Sequence, residues 1–159
     1  MEVSRFVEYY FKDDSHLDEL KAVAYLHDTL EDTNTTFEEI AYNFNYNVAS
    51  LVLELTNDQM QKKTLTKKIY LSCKMANMSS YALTIKLLDR LSNVKDLIHA
   101  DEKFRNRYLK ETYYILSHFK KMRRVNKMQE QIINTIYSEM HLYENINNKE
   151  NTKILSLAS

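Results

Sequence analysis

The chain contains no glycine and no proline. At ordinary usage about 19 of its residues would be one or the other. A backbone without them has no inexpensive route into the left-handed region, and so few of the tight turns that join short strands. This counts against β-sandwiches and excludes collagen-like chains, Gly/Ser linkers and Pro-rich segments. It also removes the glycine-rich phosphate loops of the Walker and dinucleotide type. Helices separated by polar capping residues need neither amino acid. The expected class is all-α, and 159 residues suffice for a single domain with its own core and no disulfide staples.

Apolar spacing fits helices nearly throughout. Val3, Phe6, Val7 and Tyr10 form a first short stripe. Ser15, with Asp18 three residues on, is a candidate N-cap for a helix carrying Leu17, Leu20, Val23 and Leu26. Thr35 or Thr36 can cap a brief helix with Glu38 and Glu39 in its first turn. Asn43 to Asn47 reads as a turn in which asparagine replaces glycine in the left-handed region. Val48 to Leu55, a segment ending near Met78, a long helix after Ser79-Ser80, one through Phe104 to Leu116 and one through Met128 to Met140 complete the set. The expected domain covers residues 1–144, with 145–159 a polar tail that frays.

The 22 basic and 22 acidic residues cancel, which leaves no overall field to draw the chain to DNA or an anionic membrane. Lys120 to Lys127 is a local basic patch, but it lacks a recognition motif and lies where helix C-termini favour cations. No apolar run is long enough to span a bilayer, and the first residues do not read as a signal peptide. The single cysteine, Cys73, fits a reducing compartment and reads as a buried structural thiol. A cytoplasmic location is expected, and homo-oligomerisation stays open.

Two helical segments hold acids where a simple core has no use for them. His27, Asp28, Glu31 and Asp32 crowd one helix end; His27 and Glu31 are four apart, as are Asp28 and Asp32. An imidazole beside a hard carboxylate suits a divalent first-row metal, and carboxylates one turn on can orient or deprotonate water. Asp89 lies among leucines with Asn93 four residues further on its face, and such a carboxylate is costly unless paired. Taken alone, each cluster also has a bland reading as a solvated or ion-paired helix face.

The segment from Leu20 to Thr36, with Leu26-His27-Asp28 and Glu31-Asp32-Thr33, closely resembles the HD-domain hydrolases of the RelA/SpoT and Mesh1 group. Phe44 to Val48, Leu51 to Asp58 and Lys86 to Leu97 resemble three further motifs of that group in the same order, over roughly the first three-quarters of the chain. The resemblance implies a single-domain HD-type multi-helix bundle that hydrolyses the 3′-pyrophosphate of guanosine tetra- or pentaphosphate with Mn²⁺. It implies His27, Asp28 and Asp89 as metal ligands and Glu31 and Asp32 as the catalytic acidic pair. Asn93, Lys63 and Tyr113 are implied as substrate contacts, with Thr112 an alternative to Tyr113. For Lys67 and Lys68 a solvated helix face is the stronger expectation. The group's first histidine ligand falls at Met1, so the chain is expected either to begin just after that ligand or to lack it. The alternatives are another metal-dependent nucleotide phosphohydrolase, such as an NADPH 2′-phosphatase, and a non-catalytic HD module that binds a nucleotide or a protein.

Overall fold

Side-chain caps, rather than glycine turns, separate the helices. The computed structural model describes residues 2–58 and 65–157. Its helices are α1 (Glu2–Tyr10), α2 (Leu17–Leu26), α3 (Thr29–Asp32), α4 (Phe37–Asn43), α5 (Tyr46–Leu55), α6 (Lys67–Asn77), α7 (Ser80–Asp96), α8 (Glu102–Met122) and α9 (Lys127–Leu157), with a short 3₁₀ turn at Leu97–His99. The architecture is all-α.

Thr36 and Glu39 form a complete capping box at α4, and Asn45, Ser79 and Asp101 cap α5, α7 and α8 through their side chains. Helices end on extended residues such as Thr56, Met78 and Arg123. No described residue has a positive φ. The expectation of a left-handed Asn43–Asn47 turn is thereby overturned. Asn45 is extended, its Oδ1 accepting the Val48 N–H at 2.9 Å and its Nδ2 donating to Glu19 at 2.8 Å. A capping side chain supplies the hydrogen bond that a left-handed residue would have closed. Ser15 does not cap α2 either: the helix starts after His16, and Asp14 Oδ1 accepts the His16 N–H at 2.8 Å.

Helix α7 runs through the centre, packed by α1, α2, α5, α8 and α9. Its Leu83, Ile85, Leu87, Leu88 and Leu91 are buried, as a helix enclosed on several sides requires. The exposed carbonyls at helix ends find donors from other helices. Tyr143 of α9 shares its hydroxyl between the Val94 and Lys95 carbonyls at 3.0 and 2.8 Å. Arg123, from the basic patch, donates to the Met75, Ala76 and Met78 carbonyls that end α6, and Lys120 pairs with Glu130 at 2.8 Å. Part of that patch is thus engaged in joining helices.

One more expectation differs from the structure. Cys73 is exposed, not buried, because α6 turns Tyr70, Leu71 and Met75 inward instead. Helix α9 spans Lys127–Leu157, and its last turns fall in the stretch expected as a tail. Among the described residues no helix is long and apolar enough to cross a membrane.

Candidate active site

The break between α2 and α3 builds the first half of the site. Helix α2 ends at Leu26, His27 is its C-cap, and Asp28 serves as the N-cap residue of the four-residue α3. His27 is buried, and its Nδ1 lies 2.8 Å from the Ala24 carbonyl. That bond makes Nδ1 the donor and directs Nε2 toward two carboxylates, Asp28 Oδ2 at 3.0 Å and Asp89 Oδ1 at 3.7 Å.

Helix α7 supplies the second half. Lys86, Asp89, Arg90 and Asn93 recur at i, i+3, i+4 and i+7, so they form one polar stripe beside the buried leucines of this helix. Lys86 Nζ donates to Asp89 Oδ2 at 2.9 Å, and Asn93 Nδ2 donates to Asp89 Oδ1 at 2.8 Å. Burial alone favours the neutral form of Asp89. The Lys86 charge and hydrogen bonds from His27 and Lys86 prevail, and hold its carboxyl well below the usual carboxylate range. For His27, burial opposes protonation, but hydrogen bonds to Asp28 and Asp89 and the Asp89 charge outweigh it and raise the imidazole to about 10. Charges this deep in a bundle cost stability and persist where they serve a site.

Asp28, Asn57, Lys67, Leu71, Lys86, Asp89, Arg90, Asn93 and Tyr108 line a cavity of about 300 Å³. The Arg90 guanidinium lies 5.0 Å from the Tyr108 ring centroid and 3.7 Å from Glu111. Burial, partly offset by the Arg90 charge, pushes the Tyr108 phenol up to about 12, so it remains a hydrogen-bond donor. Glu31 is tied in from α3: the Asn57 backbone N–H and side-chain Nδ2 both donate to its Oε1, at 2.6 and 2.8 Å. Asn57 Oδ1 is buried with no hydrogen-bond partner among the described residues.

His27, Asp28, Asp89 and Asn93 are therefore brought together, with Glu31 joined to the cavity wall through Asn57, while Asp32 is exposed one residue on. Tyr113 is placed elsewhere. It is exposed and its ring pairs with Tyr137 of α9 at 6.0 Å, whereas Thr112 is buried with its hydroxyl 3.4 Å from Arg90. The aromatic ring on the cavity wall is Tyr108. Lys63 and Met1 lie outside the described residues. Glu2, next to Met1, meets Ser92 of α7 at 3.3 Å, so the start of α1 lies against the helix that carries Asp89. Sequence reading missed Lys86, Arg90, Tyr108 and Asn57. The stripe spacing on α7 could have revealed the first two; nothing local marks the others.

Among the described residues no group of three or more His, Cys, Asp or Glu side chains is arranged so that it could hold a metal ion as it stands. The trio His27, Asp28 and Asp89 nevertheless has the donor chemistry of a metal site: a neutral-capable imidazole nitrogen oriented by a backbone carbonyl, and two hard oxygens. Their separations of 3.0 and 3.7 Å compare with about 3 Å between neighbouring donors when ligand bonds are about 2.1 Å.

No protein-family model matches the chain. Among curated proteins it is similar to the guanosine-3′,5′-bis(diphosphate) 3′-pyrophosphohydrolase MESH1 of Xenopus tropicalis, 43% identical over 74 residues, which are 46% of this chain and 41% of that protein. It is also similar to a guanosine-3′,5′-bis(diphosphate) 3′-pyrophosphohydrolase of Aquifex aeolicus, 40% identical over 94 residues, 58% of this chain and 14% of that protein. The matches span less than half the length of these relatives. A solved structure described as "A metazoan ortholog of SpoT hydrolyzes ppGpp and plays a role in starvation responses" superposes with a TM-score of 0.56 at 22% identity. The superposition covers 87% of this chain and 93% of that one. The resemblance to the RelA/SpoT and Mesh1 group thus holds in sequence over about half the chain, and the all-α HD-type fold over most of it.

Proposed function

We propose that the protein is a metal-dependent phosphohydrolase that removes the 3′-pyrophosphate of guanosine tetra- or pentaphosphate, giving the 5′-nucleotide and pyrophosphate. The observation that carries this reading is the convergence of His27 Nε2 with the Asp28 and Asp89 carboxylates at the wall of a cavity that also presents Lys67, Lys86 and Arg90. The two carboxylates alone would repel a phosphate; cations beside them fit a polyphosphate held against a metal. The similarity to the named pyrophosphohydrolases supports the choice of substrate.

His27, Asp28 and Asp89 would hold Mn²⁺, which supplies Lewis acidity toward water and a phosphate oxygen. In this reading Lys86 and Arg90 balance the charge of the pyrophosphate that leaves. Glu31, fixed through Asn57, accepts the proton of the attacking water, with the exposed Asp32 beside it to relay that proton to solvent. The protonated Tyr108 offers a donor and a ring face to the nucleoside. Asn93 uses its amide both to orient Asp89 and to meet the sugar or a phosphate.

Incubation of the protein with guanosine 3′,5′-bis(diphosphate) and Mn²⁺ is expected to yield GDP and pyrophosphate. Chelation and His27→Ala should each abolish the reaction. Absence of product with Mn²⁺ and with the other divalent first-row ions would sink the reading.

A further inference from the structure

The cavity beside the trio holds about 300 Å³, at the bottom of the range for small-molecule sites, about 300–1,000 Å³. A guanine nucleoside bearing two diphosphates exceeds it. A second cavity, of about 370 Å³, lies between the start of α6 and α8 and is lined by Thr66, Lys67, Lys68, Arg107, Lys110, Glu111 and Tyr114. The two cavities share Lys67, and Lys67 Nζ pairs at 2.9 Å with Glu111 Oε1, which also faces Arg90. The Lys67–Glu111 pair therefore stands as a partition between them, and it is half-open: the two side chains are 49% and 20% exposed.

Charge separates the two spaces. The first mixes three cations with the carboxylates of Asp28 and Asp89, so it suits phosphate only with a metal present. The second sets four cations against Glu111 alone, in a chain whose total charge is zero. Two of those cations are held by aromatic rings instead of by carboxylates. Lys68 Nζ lies 4.4 Å from the Tyr114 ring centroid and Arg107 lies 5.2 Å from that of Phe104. A cation on a ring face keeps its donors available to an anion. Solvated helix faces ordinarily pair lysines with acids one turn away; among the described residues only Lys67 of these four cations pairs with a carboxylate.

We infer that the Lys68–Arg107–Lys110 cavity is a metal-independent subsite for a second phosphate group of the substrate, the 5′-diphosphate, when the 3′-pyrophosphate faces His27 and Asp89. The inference rests on the function proposed above and adds the part of the substrate that sets specificity. Lys67 would contact both ends, its ion pair with Glu111 opening as the nucleotide bridges the partition.

Two measurements on the full chain separate this idea from the function it rests on. The first is calorimetric titration of the metal-free protein with inorganic pyrophosphate. Lys110→Gln and Arg107→Gln, both on exposed side chains, should each weaken binding about tenfold, and Lys121→Gln at the far end of α8 should leave it unchanged. The second compares hydrolysis of guanosine 3′,5′-bis(diphosphate) with that of guanosine 3′-diphosphate, which lacks 5′-phosphates. The same two variants should raise KM about tenfold for the first compound only, with kcat retained. Pyrophosphate binding that is unaffected by Lys110→Gln and Arg107→Gln overturns the subsite. Equal KM changes for both compounds overturn its assignment to the 5′-phosphates. If neither compound is hydrolysed the proposed activity fails, and the titration still decides whether this cavity takes phosphate.

Discussion

Replacing Asp89 by asparagine tests whether the buried charges are arranged for a site or for stability. Asp89 sits between Lys86 and His27, whose side chains are 11% and 8% exposed. Asn keeps the shape and one acceptor but removes the charge that both cations face. The rise of His27 from 6.5 to about 10 corresponds to about 5 kcal/mol, at about 1.4 kcal/mol per tenfold change in proton affinity. That value is what remains after burial has opposed protonation, and Asp28 and the Ala24 carbonyl contribute to it beside Asp89, so it sets the scale of the Asp89 share. Breaking a buried ion pair by removing one partner costs about 3–5 kcal/mol. The two routes agree on a loss of about 3 kcal/mol in the metal-free protein at pH 7. In a chain of this length that is a fall in Tm of roughly 6–12 °C.

The sign with pH follows from linkage. The folded His27 holds its proton more tightly than the unfolded residue, so its contribution is complete below pH 6.5 and fades as pH rises toward 10. Asp89 is shifted the other way; its contribution is present above the ordinary carboxylate range and is lost only in acid. The stability difference between the wild type and Asp89→Asn should therefore be full at pH 6 and shrink toward pH 10. Urea titration followed by far-UV circular dichroism in EDTA measures it. A variant as stable as the wild type at pH 6, or a difference that does not change with pH, refutes the reasoning.

Glu31→Gln should lower kcat on guanosine 3′,5′-bis(diphosphate) by about 10²–10⁴ while leaving the circular dichroism spectrum intact; a loss under tenfold removes it as the proton acceptor. Tyr108→Ala should raise KM about tenfold, whereas Tyr113→Ala, on a ring that faces Tyr137, should leave both constants within about twofold; the reverse pattern would return the nucleotide to Tyr113. Burial, reinforced by the Lys86 charge, lowers Lys74 to about 8, so its charged form destabilises the fold below that pH and the penalty fades as pH rises toward 10.5. Lys74→Met should accordingly be more stable than the wild type at pH 7 and converge with it near pH 10 in urea titrations. Asn45→Ala removes the α5 cap and the bond to Glu19 and should cost about 1 kcal/mol, read as a drop in Tm.

The motif residues show where local reading works. Thr36 and Ser79 cap helices as their sequence neighbourhoods predict, because a cap bonds to an N–H only two or three residues away. His27 and Asp28 lie in one local segment, and Asp89 and Asn93 in another. Their meeting is a tertiary event, expected from the family resemblance and not from periodicity. Asn45 is a residue that tolerates left-handed backbone, but sequence does not say whether its side chain will do the turning. For Cys73 one helical stripe offers two candidate faces, and only packing against α8 selects one.

The missing glycine and proline determined, from sequence alone, that this chain would be helical and joined by side-chain caps. Backbone propensity and capping act within a few residues, so composition reaches them directly. Which tyrosine of α8 lines the cavity was decided only by the tertiary structure, as were the bond from Asn57 to Glu31 and the division of two cavities by Lys67 and Glu111. These depend on how each helix is rotated about its axis when it packs, a choice made by the summed contacts of several helices at once. The same packing sets His27 and Asp89, far apart in the chain, 3.7 Å from each other.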